Sequence, residues 1–263
     1  MSLALQTALK SRGFEPGPLD GRVGPATKRA LRAFQRSVGL LDDGIAGPKT
    51  LAALGLIGAA RIDPLAFRVF APQAKPGAYD AISEALRRYP PLAEASVLDD
   101  WLGQMWVESE GFSVLTENLN YSVEALKDKF GRHRISLSEC ERFGRAPGQR
   151  ADQEAIANTI YGGEWGRINL GNTQPGDGWR FRGSGVKQIT GRRNTEASGF
   201  TPEELRDDIG KSVDAAARFF IGAGCIGPAR AGAISEVTRR VNGGSNGLAE
   251  RAQKTAEARR VIR

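Results

Sequence analysis

An eight-residue pattern occurs twice near the start of the chain: Asp20-Gly21-Arg22-Val23-Gly24-Pro25-Ala26-Thr27 returns 23 residues later as Asp43-Gly44-Ile45-Ala46-Gly47-Pro48-Lys49-Thr50. In each copy Asp-Gly encodes a tight turn, and Gly-Pro places proline at the first helical position, where its missing N–H costs nothing. Each copy therefore launches a helix. Leu31, Phe34 and Val38 after the first proline, and Leu51 and Leu54 after the second, give each helix an apolar stripe. With a further helix around Leu3 to Ser11, the expectation is a three-helix bundle over residues 1–56.

This head is basic, with eight Lys/Arg against four Asp/Glu, more than half of the +7 carried by all 263 residues. A positive excess favours polyanions, and nucleic acid, lipid surfaces and anionic wall polymers all fit. Hydrophobic residues at 40% and charged residues at 25% are globular values, which excludes a largely disordered chain. The longest apolar run, Leu51 to Ala60, is half the ~20 residues a bilayer requires, so no transmembrane segment is expected. MSLALQTALKSRG has neither the charged start nor the long apolar stretch of a signal peptide, so synthesis in the cytoplasm is expected. Cys140 and Cys225 then read as free, buried thiols. The single histidine, His133, rules out an HExxH metal site and reads as a loop residue.

Gly55, Gly58 and Ala59-Ala60 before Asp63-Pro64 mark a linker over 57–66. Beyond it the pattern is mostly helical. Ala81, Ile82, Ala85 and Leu86 form one stripe, stopped by Tyr89-Pro90-Pro91. Ser96 reads as the cap of a second helix that buries Val97, Leu98, Trp101, Leu102 and Met105.

That second helix runs into Trp106-Val107-Glu108-Ser109-Glu110-Gly111-Phe112, followed by Thr116-Glu117-Asn118-Leu119-Asn120-Tyr121. A half-buried carboxyl among apolar neighbours has its pKa raised, and Glu108 is placed to donate a proton in that way. Glu117 is nine residues on; one continuous helix would put the two carboxylates on opposite faces and ~13 Å apart, and a turn at Gly111 shortens that. Inverting glycosidases need about 6.5–9.5 Å between acid and base, a geometry this spacing permits without requiring it. From Tyr161 to Gly185 eight glycines are interleaved with Trp165, Trp179 and Phe181. The stretch holds no phosphate loop of the GxxxxGK type and no GxGxxG after a strand, which disfavours nucleotides. Flat aromatic faces beside arginines suit sugar rings or bases, with Trp179 a candidate contact, while Trp165 and Phe181 read equally well as packed inward.

LQTALKSRGFEPGPLDGRVGPATKRALRAFQ resembles the peptidoglycan-binding domain at the ends of bacterial and phage wall hydrolases, over residues 2–56. WVESEGF, TENLNYS, YGGEWGRINLGNTQPGDGWRFRGSGVKQITGRRN and TRRVNGGSNGLAERAQ, in this order, resemble the branch of glycoside hydrolase family 19 that includes phage endolysins, over about Phe67 to Arg263. The resemblance implies a mostly α protein: a three-helix wall-binding bundle over 1–56, then a two-lobed, lysozyme-like helical catalytic domain over 67–263. It implies cleavage of β-1,4 bonds beside N-acetylglucosamine with no cofactor or metal, by a monomer whose partner is peptidoglycan and not nucleic acid. By motif, Glu108 is the general acid, Glu117 the general base, and Thr190 the residue that holds the attacking water. Gln188, Asn194 and Asn242 line the sugar cleft, joined by Tyr121 and Trp179 as substrate contacts.

Two positions depart from the family pattern. Val107 stands where histidine is frequent and implies a drier pocket for Glu108; Glu110 stands where glycine is frequent and either raises the acid's pKa or takes over its role. Chitin is the alternative substrate, lytic transglycosylation the alternative reaction, since Glu108-Ser109 and Gly185-Val186-Lys187-Gln188 echo that class, and a non-enzymatic wall binder the alternative class. The wall-binding head and absent leader favour an endolysin made in a host's cytoplasm and acting on the wall in the periplasm or outside. The tail from Leu248 to Arg263, with five Lys/Arg and two Glu, reads as a solvated helical face.

Overall fold

The structure is a computed structural model that describes residues 2–56 and 60–262, so the first part of the expected linker, 57–59, lies outside the described residues. The chain divides into two compact units, residues 1–60 with 93–95, and residues 61–92 with 96–263.

The first unit holds helices α1 (Ser2–Ser11), α2 (Pro25–Ser37) and α3 (Pro48–Ala53), the last two starting at the prolines of the repeat. Leu5, Leu9, Leu31, Phe34, Leu51 and Leu54 form its core. Val38 does not join them; it lies just past the end of α2 and is 45% exposed. What the repeat encodes is a polar lock as well as two helix starts. Buried Gln6 on α1 donates to Asp20 Oδ1, Arg22 O and Thr27 Oγ1 and accepts from Gly21 N. Buried Gln35 on α2 repeats this with Asp43 Oδ1, Ile45 O, Thr50 Oγ1 and Gly44 N. Gly21 and Gly44 sit at φ 76° and 71°, the left-handed region each turn requires.

The second unit begins inside the stretch expected as linker. Ile62 bridges to Ile262, and Asp63 caps α4 (Pro64–Phe70) by accepting from Ala66 N at 2.7 Å. After α5 (Ala78–Arg88) comes α6 (Ala95–Glu108), the central helix, whose Val97, Leu98, Trp101, Leu102 and Met105 are 0% exposed. Ser96 is its second residue, not the cap expected, because the helix starts at Ala95, two residues before the start that a cap at Ser96 implies. One group of helices, α7 (Val123–Lys129), α8 (Leu137–Phe143) and α9 (Gln153–Ile160), surrounds Leu119, Leu126, Cys140, Ile156 and Ile160. Next come α10 (Gly163–Leu170) and α11 (Asp177–Arg180), the latter lying on α9. After α12 (Arg192–Ser198), α13 (Pro202–Asp207) and α14 (Ile209–Gly222) pack together, and α14 also packs against α5. The chain closes with α15 (Ile226–Arg230), α16 (Ile234–Asn242) and α17 (Leu248–Ala258). The protein is mostly helical; among the described residues extended pairing is confined to isolated bridges. None of the described helices is long and apolar enough to cross a membrane. Cys140 and Cys225 are free and buried, and His133 is exposed.

The tail is solvated on one face, where Glu250, Arg259 and Arg260 are exposed, and buried on the other. Gly103 on α6 lets α17 approach so closely that a Cβ there would lie 2.5 Å from Thr255. Arg251 and Thr255 on α17 are consequently 4% and 2% exposed. Below them Asp99 pairs with Arg259 at 2.6 Å, and burial, then the Asp99 charge, push the Asp100 carboxyl up to about 7. Between the ordinary value of 3.8 and about 7 the folded chain holds this proton and the unfolded chain does not, so the contribution of Asp100 to stability is lost as pH rises through that window. Asp100→Asn, always neutral, is therefore expected to flatten the fall in stability between these pH values. Urea titrations at a series of pH values check this; an unchanged slope would contradict it.

Candidate active site

Glu108 is the last residue of α6. The helix stops there because Glu110, Gly111 and Phe112 all take positive φ, at 48°, 73° and 63°. Buried Ser109 secures the reversal, its hydroxyl donating to Met105 O at 2.6 Å and accepting from Phe112 N at 2.9 Å. Three non-glycine residues with positive φ are found among the described residues, Glu110, Phe112 and Gln188, and all three lie in the segments that carry this site. Such backbone costs of order 1–3 kcal/mol each and persists where the surroundings dictate it.

The dry pocket expected around Glu108 is instead an ionic one. Arg251 Nη2 donates to Glu108 Oε1 at 2.7 Å, and Lys187 Nζ approaches Oε2 at 3.4 Å; all three side chains are almost buried. Arg251 is held in turn by Gln104 Oε1 at 2.8 Å, and Gln104 donates to Thr238 Oγ1 at 3.0 Å. Val107 does not exclude these cations, because they arrive from other parts of the chain, α17 and the segment after α11. Glu110 is exposed on the turn, where its carbonyl accepts from Ser113 Oγ.

Glu117 is anchored by a different set of groups. Thr116 bridges to Ser184, Glu117 N donates to Gly183 O at 2.9 Å, and Gly183 N donates back to Glu117 Oε2 at 2.9 Å. Gly183 has no room for a side chain, since a Cβ would lie 2.6 Å from Gln188 Oε1 and 3.0 Å from Glu117 Cβ. The second carboxylate oxygen accepts from Tyr161 Oη at 2.6 Å. Burial, with the Glu117 charge second, pushes the Tyr161 phenol far up, so it remains a donor. Tyr121 is raised by the same two causes in the same order.

The segment 183–190 closes on itself through a Ser184–Ile189 bridge. It carries Gly183, which holds Glu117, and Lys187, which reaches Glu108, so both carboxylates are tied to one hairpin. A cavity of about 600 Å³ opens beside it, with Gln188, Thr190 and Asn194 in its wall together with Lys187 and Phe219. Thr190 Oγ1 donates to Gln188 O at 3.1 Å, Asn194 donates to Thr190 O at 2.9 Å, and Gln188 donates to Gly185 O at 3.1 Å. Val241 and Gly243 line the cavity, while the amide of Asn242 between them turns to Asn246 O. Tyr121 and Trp179 are not among the residues lining that cavity; both are half-buried against the core of α7, α8 and α9, where Tyr121 feels the Glu117 charge. The Trp179 ring carries the Arg182 guanidinium 3.5 Å from its centre. Trp165 stacks likewise with Arg134 at 3.8 Å, and Phe181 is packed inward. Sequence reasoning missed Lys187, Arg251 and Tyr161. The signals were a lone charge in the short segment Val186 to Ile189, and an arginine sharing the face of Thr255 and Ala258 at helical spacing.

A protein of Haemophilus influenzae described as "Glycosyl hydrolase family 19 domain-containing protein" is 33% identical over 196 residues, covering 72% of this chain and 92% of that one. The chain belongs to glycoside hydrolase family 19. The ion-paired Glu108 and the doubly held Glu117 are thus carboxylates of a family 19 glycoside hydrolase. Residues 3–54 match the family described as a peptidoglycan binding domain. Over shorter stretches the family 19 enzyme is 48% identical over 50 residues to the N-acetylmuramoyl-L-alanine amidase CwlM of Mycobacterium tuberculosis and 50% identical over 48 residues to a spore cortex-lytic enzyme of Bacillus cereus. Those stretches cover 19% and 18% of this chain, and 12% and 18% of the relatives. A crystal structure of a mutant chitinase C overlays with a TM-score of 0.47 at 12% identity, over 76% of each chain.

Proposed function

We propose that this family 19 hydrolase cleaves β-1,4 bonds of peptidoglycan with inversion, as an endolysin acting as a monomer on the wall in the periplasm or outside after synthesis in a host's cytoplasm. The observation that carries the reading is the hairpin 183–190, to which both carboxylates are tied and which ends at the Thr190 hydroxyl. Glu108 gives its proton to the glycosidic oxygen as the C1–O bond breaks. A water held by Thr190 attacks C1 and loses a proton to Glu117. The phenol of Tyr161 and the Gly183 N–H fix the Glu117 carboxylate, and Arg251 fixes that of Glu108. Glu110, exposed and outside the ion-paired set, has no part in the step.

Two independent bonds on Glu117 favour a two-carboxylate hydrolysis over transglycosylation, which needs one carboxylate. The peptidoglycan-binding head favours peptidoglycan over chitin. Release of reducing ends from purified peptidoglycan tests the substrate, and faster release from chitin under the same conditions would overturn it. The head should matter only on the polymer: a chain lacking residues 1–56 is expected to cleave soluble glycan fragments at a near-normal rate and to clear whole walls at least ~10-fold more slowly, because the head acts by raising local concentration. Equal losses on both substrates, compared in parallel turbidity and reducing-end assays, would contradict this.

A further inference from the structure

Between α8 and α9 the segment Arg145-Ala146-Pro147-Gly148-Gln149-Arg150 folds into a second, tighter hairpin. Ala146 N donates to Gln149 O at 3.0 Å and Gln149 N returns the bond at 2.9 Å, with Gly148 at φ 79° in the turn that Pro147 begins. Gln149 Nε2 fastens the turn to the end of α8, donating to Glu141 O, Arg142 O and Gly144 O at 3.0, 3.2 and 2.6 Å. Backbone bonds also tie this region to the segment that carries Glu117: Arg145 N donates to Tyr121 O at 2.8 Å, and Leu119 N donates to Gln153 Oε1 at 3.0 Å. A groove of about 610 Å³ runs along the hairpin, and Asn120, Arg145, Gln149, Arg150 and Gln153 give it a polar wall. Its charged residues are both cations, Arg145 and Arg150. Among the described residues neither guanidinium group has an ion pair or a hydrogen bond. Two acids close by in sequence are engaged elsewhere, Glu141 with Lys127 at 3.1 Å and Asp152 as the cap of α9, accepting from Ala155 N at 3.0 Å.

Two uncompensated cations on a rigid polar wall suit a polar ligand that brings carboxylates. Chitin is neutral and brings none. In peptidoglycan the lactyl carboxyl of each muramic sugar is taken up in the amide that begins the stem peptide, so the free carboxylates lie on the peptide itself. Asn120 is three residues past Glu117, at most about 11 Å along an extended chain, and a stem of four residues reaches about 13 Å. Resting on the peptidoglycan reading above, we infer that this groove is a stem-peptide subsite, in which Arg145 and Arg150 hold the peptide's carboxylates while the sugar that bears the peptide occupies the catalytic cleft. Planar guanidinium groups suit a carboxylate in two-point contact, and the exposed Asn120 amide can both donate to and accept from the peptide bonds. Arg145 and Arg150 are then specificity-determining residues that favour peptide-bearing glycan over chitin.

The test uses the full chain and soluble, uncrosslinked glycan strands that keep their stem peptides. Peptide amines are first acetylated, and half of the material then has its peptide carboxylates converted to amides with carbodiimide and ammonia. The unmodified protein should lose about tenfold in kcat/KM on amidation, the worth of one charge-assisted hydrogen bond, with the loss in KM because the contact is the same before and during bond cleavage. The double variant Arg145→Gln/Arg150→Gln, changed at two exposed positions, should lose about tenfold on the acidic strands and cleave the amidated strands within about twofold of the unmodified protein. That second rate also shows that the variant is folded. Equal cleavage of the two forms by the unmodified protein overturns the subsite alone, as does a double variant that keeps the full gap or loses equally on both forms. Failure to cleave either form while chitin fragments are cleaved removes the peptidoglycan reading and this subsite with it.

Discussion

Glu108→Gln is expected to lower the rate of peptidoglycan cleavage by about 10²–10⁴-fold, the usual worth of general acid catalysis, with the fold retained. The amide keeps the size of the carboxyl group, and its oxygen still accepts from Arg251, so the contact between α6 and α17 survives. It has no proton to give. Glu110→Gln is the control, because Glu110 is exposed on the turn beyond the helix and should lose less than about twofold. Initial rates on purified peptidoglycan, with circular dichroism to confirm folding, decide between them. An active Glu108→Gln beside an inactive Glu110→Gln would reverse the assignment.

Glu117→Gln should be similarly severe, and its combination with Thr190→Ala should be little worse. The amide oxygen keeps the bond from Tyr161 or that from Gly183, but it takes no proton from water. Thr190→Ala alone removes one neutral hydrogen bond to that water, worth about 0.5–1.5 kcal/mol, or roughly 2- to 12-fold in rate. Both side chains serve one proton transfer, and groups that act as a unit are not additive. Initial rates of the two single variants and the double variant form the cycle. Full additivity would show that Thr190 acts on some other step.

The features legible in the sequence were those written locally. The Asp-Gly and Gly-Pro pairs placed the starts of α2 and α3, and the apolar stripe of α6 marked its buried residues, because both rest on contacts within a few positions. Gln6 and Gln35 were not legible: Gln6 reaches up to 21 residues along the chain and Gln35 at least 8 to lock a turn, and no periodicity records that. The environment of Glu108 was misread for the same reason. Val107 and Trp106 are its neighbours in sequence, but Lys187 and Arg251 are its neighbours in space, 79 and 143 residues away. Asn242 illustrates the limit of a motif, since its backbone neighbours line the cavity while its amide turns aside. The eight glycines between Tyr161 and Gly185 were noticed as a ligand-approach signal, and one of them, Gly183, serves a closer purpose, admitting the Glu117 carboxylate against the backbone.

The central claim is an inverting hydrolysis of peptidoglycan by Glu108 and Glu117 acting on opposite sides of one bond. Mass spectrometry of the products, with NMR of the first anomer formed, tests it most directly. Fragments that have gained one water and appear first as the α-anomer are the predicted result; anhydro-ended fragments lighter by one water, or a β-anomer, would contradict it.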